Sequence, residues 1–420
     1  MGFMLLIGFC LINNNIIYAA EPVVVVLDPG HGGENLGAEY EDYTEKDMTM
    51  IVANAMKEEL ERYEGIKVYM TRENDKDMSL KERVDYAVSL NADFFFCLHF
   101  NMSVNHNLFG SEVWVSAFDE EFQRGYTFAS VEIDMLEDLG LYSRGIKTKL
   151  NDEGEDYYGI IRHATANDLT AVLIEHCHLD QENDQEFYTS EEKLKRFGIL
   201  DATAVAKYYG LKSEILGVDY SDYKNVEIPL PTSPVKPDKT EPDVCIIDVG
   251  DVDMETGNVE VFVSAEDYDS YILYYSYSYD GGLTFSDLQR WEPRGTDMVQ
   301  FTINVPSGTV PEIVVNAYNG FDGFTQSNHV SLPSMLYGEE PEAVEATVMT
   351  AENVPETEYE DIKPEMPKQE EEDKEEKSRD ITVLYFLQVS LICVAILLVL
   401  FLLARILTGG HLKKKSRRKK

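Results

Sequence analysis

The stretch Val23-Val-Val-Val-Leu-Asp-Pro-Gly-His-Gly-Gly-Glu-Asn-Leu-Gly37 decides how the first half of this chain folds. Its first five residues are apolar and four of them are β-branched, which is typical of a strand buried on both faces of a sheet. Asp28-Pro29-Gly30 ends that strand, because proline lacks a ladder donor and glycine permits a sharp turn. His31 is therefore predicted just beyond the carboxyl end of a strand, where open α/β sheets place their ligands. Gly32 and Gly33 are expected to leave space beside its imidazole.

Three further polar residues complete a candidate site. His99 and Glu175 each end an apolar, strand-like run, where a buried polar group is costly unless it has a partner. Glu45 stands in a polar loop just before a helical pattern. Together with His31, these residues can converge on one Zn²⁺ ion and its water, because imidazole and carboxylate are ligands that this ion takes in proteins. A histidine of this kind taken alone would be read as a solvated or hydrogen-bonded side chain.

Seven short motifs occur in order across roughly half of the chain. They are Asp-Pro-Gly-His-Gly-Gly at 28–33, Glu-Lys-Asp at 45–47, Thr-Arg at 71–72, Leu80 to Arg83, Leu-His-Phe-Asn at 98–101, Arg-Gly-Ile-Lys at 144–147 and Val-Leu-Ile-Glu at 172–175. Together they resemble the zinc N-acetylmuramoyl-L-alanine amidases, cell-wall hydrolases of the amidase 3 type. The resemblance implies that His31, Glu45 and His99 bind Zn²⁺ as the cofactor. It also implies that Glu175 is the catalytic carboxylate.

The resemblance further implies a substrate, the amide bond that joins N-acetylmuramic acid to L-alanine in peptidoglycan. Arg144 and Arg162 fall in segments similar to those that border the groove of the family, and Asn101 closes the motif of the second histidine. All three are predicted to contact substrate, and a surface ion pair is the alternative for each arginine. Phe100 and His176 depart from the residues usual at their positions, which affects the shape of the groove more than the ligand set.

Strand-like and helical patterns alternate through residues 21–212, which predicts an α/β fold. Helical patterns span residues 46–63, 80–90, 120–139 and 199–209, and strand patterns span residues 23–27, 66–70, 93–99 and 112–116. Such alternation is typical of a mostly parallel sheet with flanking helices. Residues 21–212 are therefore predicted to form the zinc amidase domain.

A second, β-rich module is predicted after a proline-rich linker. Residues 213–242 contain five prolines within a short span and should form a semi-rigid connection. Alternating strands with turns between them fill residues 243–335, which favours a small β-sandwich of the immunoglobulin or fibronectin-III type. Its tyrosine-rich strand is either an ordinary strand or a surface that binds sugars. A protein or glycan partner of this module is therefore one of the alternatives.

The two ends of the chain predict export and attachment to a membrane. Residues 1–20 resemble a signal peptide, although they lack a cationic start. Residues 336–381 are acidic and predict a disordered stalk, and residues 382–407 form an apolar run long enough for a transmembrane helix. The basic tail at 408–420 predicts that this end lies in the cytoplasm. The chain is thus expected to be a single-pass membrane protein with its catalytic domain on the extracellular, cell-wall side.

Charge and cysteine content restrict the partners and the cross-links. The chain has 36 basic and 77 acidic residues and a net charge of −41, which argues against binding to nucleic acid. Cys97 and Cys177 each lie two positions from a predicted site residue and so share a strand face with it. The two cysteines either pack as small apolar side chains or form a disulfide with each other, and the sequence leaves both alternatives.

Two other functions compete with amidase activity. One is a non-catalytic surface protein whose first domain binds the wall and whose second domain binds a partner. The other is an enzyme of the same fold that cleaves a different amide, such as a peptide crosslink. All four predicted site positions hold a suitable residue, which favours the amidase.

Overall fold

The structure, a computed structural model, describes residues 21–337. The predicted signal peptide (1–20), transmembrane helix (382–407) and basic tail (408–420) lie outside the described residues, as does all of the predicted stalk (336–381) except its first two residues. Within residues 21–337, no helix has both the length and the apolar character needed to cross a bilayer.

An α/β region comes first along the chain. Its helices are α1 (Glu45–Leu60), α2 (Leu80–Ser89), α3 (Asp119–Leu139), α4 (Gly159–Thr165), α5 (Glu182–Tyr188) and α6 (Glu191–Tyr209). Its strands are β1 (Val23–Pro29), β2 (Glu39–Tyr40), β3 (Tyr43–Thr44), β4 (Ile66–Met70), β5 (Phe94–Asn101), β6 (Ser111–Val115), β7 (Ser143–Lys147), β8 (Ala171–His178), β9 (Lys212–Ser213) and β10 (Val218–Asp219).

Six of these strands form one mixed sheet in the order β4-β1-β5-β8-β6-β7. The pairing of β6 with β8 is antiparallel, and the other four pairings are parallel. The predicted α/β core with flanking helices is confirmed, and its mixed sheet is mostly parallel, as predicted, with one antiparallel pairing. The antiparallel pair brings the start of β6 beside the carboxyl end of β8, next to the candidate site.

Residues of β5 show how one strand serves two hydrophobic cores. Phe94 and Phe96 pack into the larger core with α1, α3 and α6, whereas Phe95 and Cys97 pack into a smaller core with α2 and α4. All four are buried, because alternate side chains of a strand point to opposite faces of the sheet. Helices on both faces therefore bury most of the central strands, and the half-buried residues at their carboxyl ends include His99 and Glu175.

A β-rich region follows. Its strands are β11 (Val244–Val252), β12 (Asn258–Glu266), β13 (Ile272–Ser278), β14 (Gln289–Arg290), β15 (Met298–Asn304), β16 (Glu312–Asn319), β17 (Phe324–Gln326) and β18 (Val330–Ser331). One sheet has the order β11-β12-β15 and the other has the order β14-β13-β16-β17, with β18 also paired to β16. Apolar side chains from both sheets share one core around the buried Trp291. The β-rich character predicted here is confirmed, and the immunoglobulin-like or fibronectin-like type stays a prediction.

The proline-rich segment between the two regions lies along the α/β region. Its Val235 donates from the backbone to the carbonyl oxygen of Ala117 at 2.8 Å, and the carbonyl oxygen of Ile228 accepts from Gln123 at 2.6 Å. Val235 and Ile228 also pack against the larger core. These contacts fix the path of the segment predicted to be a linker.

Candidate metal centre and active site

A cavity of about 440 Å³ lies beside the carboxyl ends of β1, β5 and β8. Its lining includes His31, Glu45, His99 and Glu175, the four residues on which the predicted site depends. Asn101, the last residue of β5, also lines it. Strands that are adjacent in the sheet thus bring together polar residues that are far apart along the chain.

Three of these side chains meet closely enough to hold one metal ion. The Nε2 atom of His31 lies 3.0 Å from Oε2 of Glu45, and the Nδ1 atom of His99 lies 2.8 Å from Oε1 of the same carboxylate. One candidate ligand atom from each residue lies within 4.8 Å of the others. Zn²⁺ bonds of about 2.0–2.2 Å place tetrahedral ligand atoms roughly 3–3.5 Å apart, so two imidazoles and a carboxylate at these distances fit that ion.

His31 holds a backbone conformation that few side chains adopt. Its φ is +61°, in the left-handed region, which costs on the order of 1–3 kcal/mol for a residue other than glycine. Two buried arginines hold this turn in place. Arg83 donates to the carbonyl oxygen of His31 at 2.6 Å, and Arg72 donates to those of Pro29 and Gly30, each at 2.9 Å. In the sequence both arginines are members of motifs, but no pattern there indicates that they are buried.

Two glycines make room for the side chains of the candidate ligands. A Cβ atom on Gly30 would lie 2.7 Å and 2.8 Å from the two ring nitrogens of His99. A Cβ atom on Gly37, whose φ is +74°, would lie 2.5 Å from Oε2 of Glu45 and 2.6 Å from Cδ2 of His31. Cβ atoms on Gly32 and Gly33 would contact Lys76 and Asp77 in a neighbouring loop, and the space predicted at these glycines beside the imidazole of His31 stays a prediction.

Glu45 is the first residue of α1 and does not lie in a loop as predicted. Its carboxylate is buried and accepts from the backbone of Ala38 at 2.8 Å and of Phe100 at 3.0 Å. Burial raises the pKa of Glu45, but hydrogen bonds and charge from His31 and His99 outweigh burial and hold the pKa well below its usual range. The amino-terminal end of a helix also favours a negative charge. Glu45 is thus held as an anion, the form that binds a cation.

Outer contacts hold the ring of His31 and the backbone at His99. Asn35 accepts a hydrogen bond from Nδ1 of His31 at 2.9 Å, which leaves Nε2 of that ring directed at the carboxylate of Glu45. The backbone oxygen of His99 accepts from Nδ1 of His176 at 2.9 Å, and Asp201 lies 3.2 Å from the other nitrogen of His176. Such partners orient the ligands of metal sites in proteins.

Glu175 lies beside the three candidate ligands with one oxygen unsatisfied. It is the register partner of His99 in the pairing of β5 with β8. Its Oε2 atom is buried and has no hydrogen-bond partner among the described residues. Burial, with a smaller effect from the charges of Glu45 and Glu112, raises the pKa of Glu175 well above its usual range. An unpaired buried carboxylate oxygen is costly, so a cation and water beside it would suit this site.

The three residues predicted to contact substrate occupy different surroundings. Asn101 lines the cavity and donates to Glu112 at 3.0 Å. Arg162, in α4, donates to backbone carbonyls of the segment just before that helix and lies 3.6 Å from Glu155. Arg144 corrects the expectation most clearly, because its guanidinium is 2% exposed and points at Glu112 and at the β-rich region instead of the cavity.

Cys97 and Cys177 are both free and buried. The thiol of Cys97 donates to Oδ2 of Asp28 at 3.0 Å. Of the two interpretations open from the sequence, packing as small side chains is the one that the structure shows.

The first half of the chain is similar to known proteins. Residues 25–207 match the family model of N-acetylmuramoyl-L-alanine amidase. Over 94 residues the chain is 38% identical to N-acetylmuramoyl-L-alanine amidase AmiC of Escherichia coli O6:H1, which covers 22% of each chain. Over 195 residues it is 29% identical to the uncharacterized protein YqiI of Bacillus subtilis strain 168, covering 46% of this chain and 88% of that one.

Among solved structures, the chain is similar to Cwp6 from Clostridium difficile, at 32% identity and a TM-score of 0.42. That match covers 45% of this chain and 30% of Cwp6. The matched segment therefore spans less than a third of the length of AmiC and of Cwp6.

Proposed function

Residues 25–207 belong to the N-acetylmuramoyl-L-alanine amidase family, and from that premise we propose that this chain hydrolyses the amide bond between N-acetylmuramic acid and L-alanine in peptidoglycan. The observation that supports the proposal most is the meeting of His31, Glu45 and His99 beside the unsatisfied oxygen of Glu175. A cell-wall amidase of this kind would act in remodelling of the wall.

The proposal assigns His31, Glu45 and His99 to hold Zn²⁺. When bound, the ion supplies Lewis acidity to a substrate carbonyl and to water. The chain itself fixes the donors: Asn35 orients one imidazole, and Gly30 leaves the space that the other occupies. The carboxylate of Glu45 is buried, so water has little access to compete with it for a bound cation.

Glu175 is assigned the transfer of a proton. Its Oε2 atom would accept the proton that the attacking water loses and would deliver it to the nitrogen of L-alanine as that amine leaves. Two observations support this role. Glu175 lies opposite His99 in the pairing of β5 with β8, and the helices on both faces of the sheet exclude bulk solvent from the strand that carries it. Asn101, at the wall of the same cavity, is proposed to contact the substrate.

The proposal includes a location at the cell surface. The apolar run at 382–407 and the basic residues after it support attachment to the membrane, with the catalytic region directed at the cell wall. Peptidoglycan is then the substrate that the chain meets on that side. A protein or glycan partner for the β-rich region belongs to the same proposal.

The test compares Glu175→Gln with wild-type protein after the zinc content of both has been measured. Purified peptidoglycan is digested and the newly exposed amino groups are identified. We expect Glu175→Gln to keep its zinc and to lose about 10²- to 10⁴-fold in turnover, which is what a general acid–base residue contributes. Glu182→Gln, an exposed carboxylate at the start of α5, serves as the matched control and should behave like wild type.

The outcomes separate the competing functions. New amino-terminal L-alanine supports the amidase, and a different amine identifies an enzyme that cleaves another amide. Binding to the wall with no release of amine by zinc-loaded protein favours a non-catalytic surface protein. Full activity of zinc-loaded Glu175→Gln removes Glu175 from the mechanism.

A further inference from the structure

Three charged side chains are buried together at the edge of the mixed sheet. Glu112 on β6 and Arg144 and Lys147 on β7 are each at most 3% exposed. Oε2 of Glu112 accepts from Nε of Arg144 at 2.9 Å and from Nζ of Lys147 at 2.8 Å. Two buried cations thus share one carboxylate within the α/β region. An excess of buried charge is costly unless another group of opposite sign reaches it.

The β-rich region supplies that second carboxylate. Nη2 of Arg144 donates to both oxygens of Asp322, at 3.0 Å and 3.2 Å. Asp322 lies in the turn between β16 and β17, with a φ of +69°. Nη1 of Arg144 also contacts the hydroxyl of Tyr274 on β13 at 3.2 Å. Asp322 therefore adds a carboxylate from the β-rich region to a group in which Glu112 contacts both basic side chains.

The contact around this group is closely packed. The hydroxyl of Tyr271 donates to the backbone oxygen of Arg144 at 2.6 Å, and its ring leaves no space for a side chain at Gly145. The hydroxyl of Tyr142 donates to the backbone oxygen of Leu273 at 2.5 Å. A buried apolar cluster joins both regions and consists of Phe109, Tyr142, Leu273, Tyr274 and Leu288. The two regions are therefore held in one fixed arrangement at this edge.

The same group of charges reaches the candidate active site. Glu112 is the register partner of Glu175 in the antiparallel pairing of β6 with β8, so the two side chains lie on one face of the sheet. Oε1 of Glu112 accepts from Nδ2 of Asn101, which lines the cavity. A continuous series of contacts thus runs from Asp322 through Arg144 and Glu112 to the wall of the cavity.

We propose that Asp322 is a positioning residue for the active site. It fixes Arg144, Arg144 fixes Glu112, and Glu112 holds Asn101 and the segment of β8 that bears Glu175. Without Asp322, Arg144 would be a buried cation that competes with another for one carboxylate, and its movement would release Glu112. The effect on catalysis rests on the proposed amidase function, whereas the effect on the order of these strands does not.

The experiment uses the full zinc-loaded chain with Asp322→Asn. Hydrogen exchange of β6 and β8 is measured together with kcat and KM on peptidoglycan. We expect exchange in both strands to rise and kcat to fall, each by about 3- to 30-fold, while KM and zinc content stay near those of wild type. Asp322→Glu should recover most of the lost kcat. Asp251→Asn, an exposed carboxylate on β11, is the matched control and should change neither quantity.

Unchanged exchange and unchanged kcat in folded, zinc-loaded Asp322→Asn overturn the proposal. If that variant does not fold, Tyr274→Phe removes one hydroxyl from the same arginine and keeps the ring, and the same two measurements decide. Faster exchange in a chain whose wild type releases no amine rejects the amidase function and supports the positioning role. An active wild type with no effect of either variant rejects the positioning role alone.

Discussion

Replacing Gly30 with alanine tests the geometry of the candidate metal centre. The new Cβ atom would lie 2.7 Å from Nδ1 and 2.8 Å from Nε2 of His99. Favourable contacts between heavy atoms begin near 3.5 Å, so the imidazole would have to move by about 0.7 Å or more. Bond lengths in a metal site tolerate only about ±0.2 Å. The substitution should therefore remove His99 as a ligand without changing any ligand itself.

We expect the affinity of Gly30→Ala for zinc to fall by at least about 100-fold, because disturbing the partner of a ligand already costs about 10- to 100-fold. A factor of 100 corresponds to about 2.7 kcal/mol of binding free energy at 1.36 kcal/mol per decade. Folding itself should suffer less than binding. Gly30 has no left-handed φ, so an alanine is compatible with its backbone and restricts the unfolded chain.

The assay is a competitive titration of zinc against a chelating dye, followed by measurement of amidase activity. Gly125→Ala is the control, because Gly125 lies in α3, away from the candidate ligands. Its new Cβ atom would lie 3.3 Å from the Cβ atom of Val115, its nearest neighbour. It should bind zinc like wild type. If Gly30→Ala retains wild-type affinity to within about threefold, His99 is not held where the structure places it and its role as a ligand fails.

Three further changes test the surroundings of the site. Asn35→Ala removes the acceptor of Nδ1 of His31 from an exposed position, so zinc affinity measured by titration should fall about 10- to 100-fold with little change in melting temperature. Arg83→Met leaves the carboxylate of Asp28 buried without its ion-pair partner at 2.8 Å, and denaturant unfolding should show a loss of about 3–5 kcal/mol; a loss below about 1 kcal/mol would contradict this. Burial raises the pKa of Asp184 to about 6 from an ordinary 3.8, so its contribution to stability is complete below about pH 4 and is lost as pH rises through 6. The free energy of unfolding of Asp184→Asn, relative to that of wild type, should therefore rise by up to about 3 kcal/mol from pH 4 to pH 7. A difference between the two proteins that does not change with pH would refute the raised pKa of Asp184.

The central strands could be predicted from the sequence because burial on both faces requires an almost continuous apolar run. The patterns at β1 and β5 were of this kind. The direction of β6 could not be predicted in the same way, since the alternation of side chains within a strand is the same for parallel and antiparallel neighbours. A sheet predicted as mostly parallel thus contains one antiparallel pairing.

Short helices and helix ends escaped the sequence patterns for a related reason. α4 and α5 have 7 residues each, which is too short for helical periodicity to appear. α6 was predicted from residue 199, but it begins at Glu191, where the first turns are largely exposed and give little apolar signal. The hydroxyl of Ser190, which accepts from the backbone of Lys193, was the available sign of that start.

The candidate site was predictable as a set of residues but not as a set of contacts. The histidines and carboxylates were identified through ordered motifs, and the structure brings them to one cavity. The partner of Arg144 could not be identified, because Asp322 is 178 residues away and no local pattern records such a contact. A buried arginine and an exposed one look alike in a sequence.

Strand β7 is the last strand of the mixed sheet on its side, and outermost strands invite pairing with other molecules. Here the backbone oxygen of Arg144 already accepts from Tyr271, whose ring also lies against Gly145. A foreign strand would have to displace the β-rich region before it could add to the sheet. The β-rich region, which has no residue in the cavity, thus covers part of this sheet edge. We expect a truncated chain ending before residue 243 to expose the edge of β7 and to associate with other copies through it.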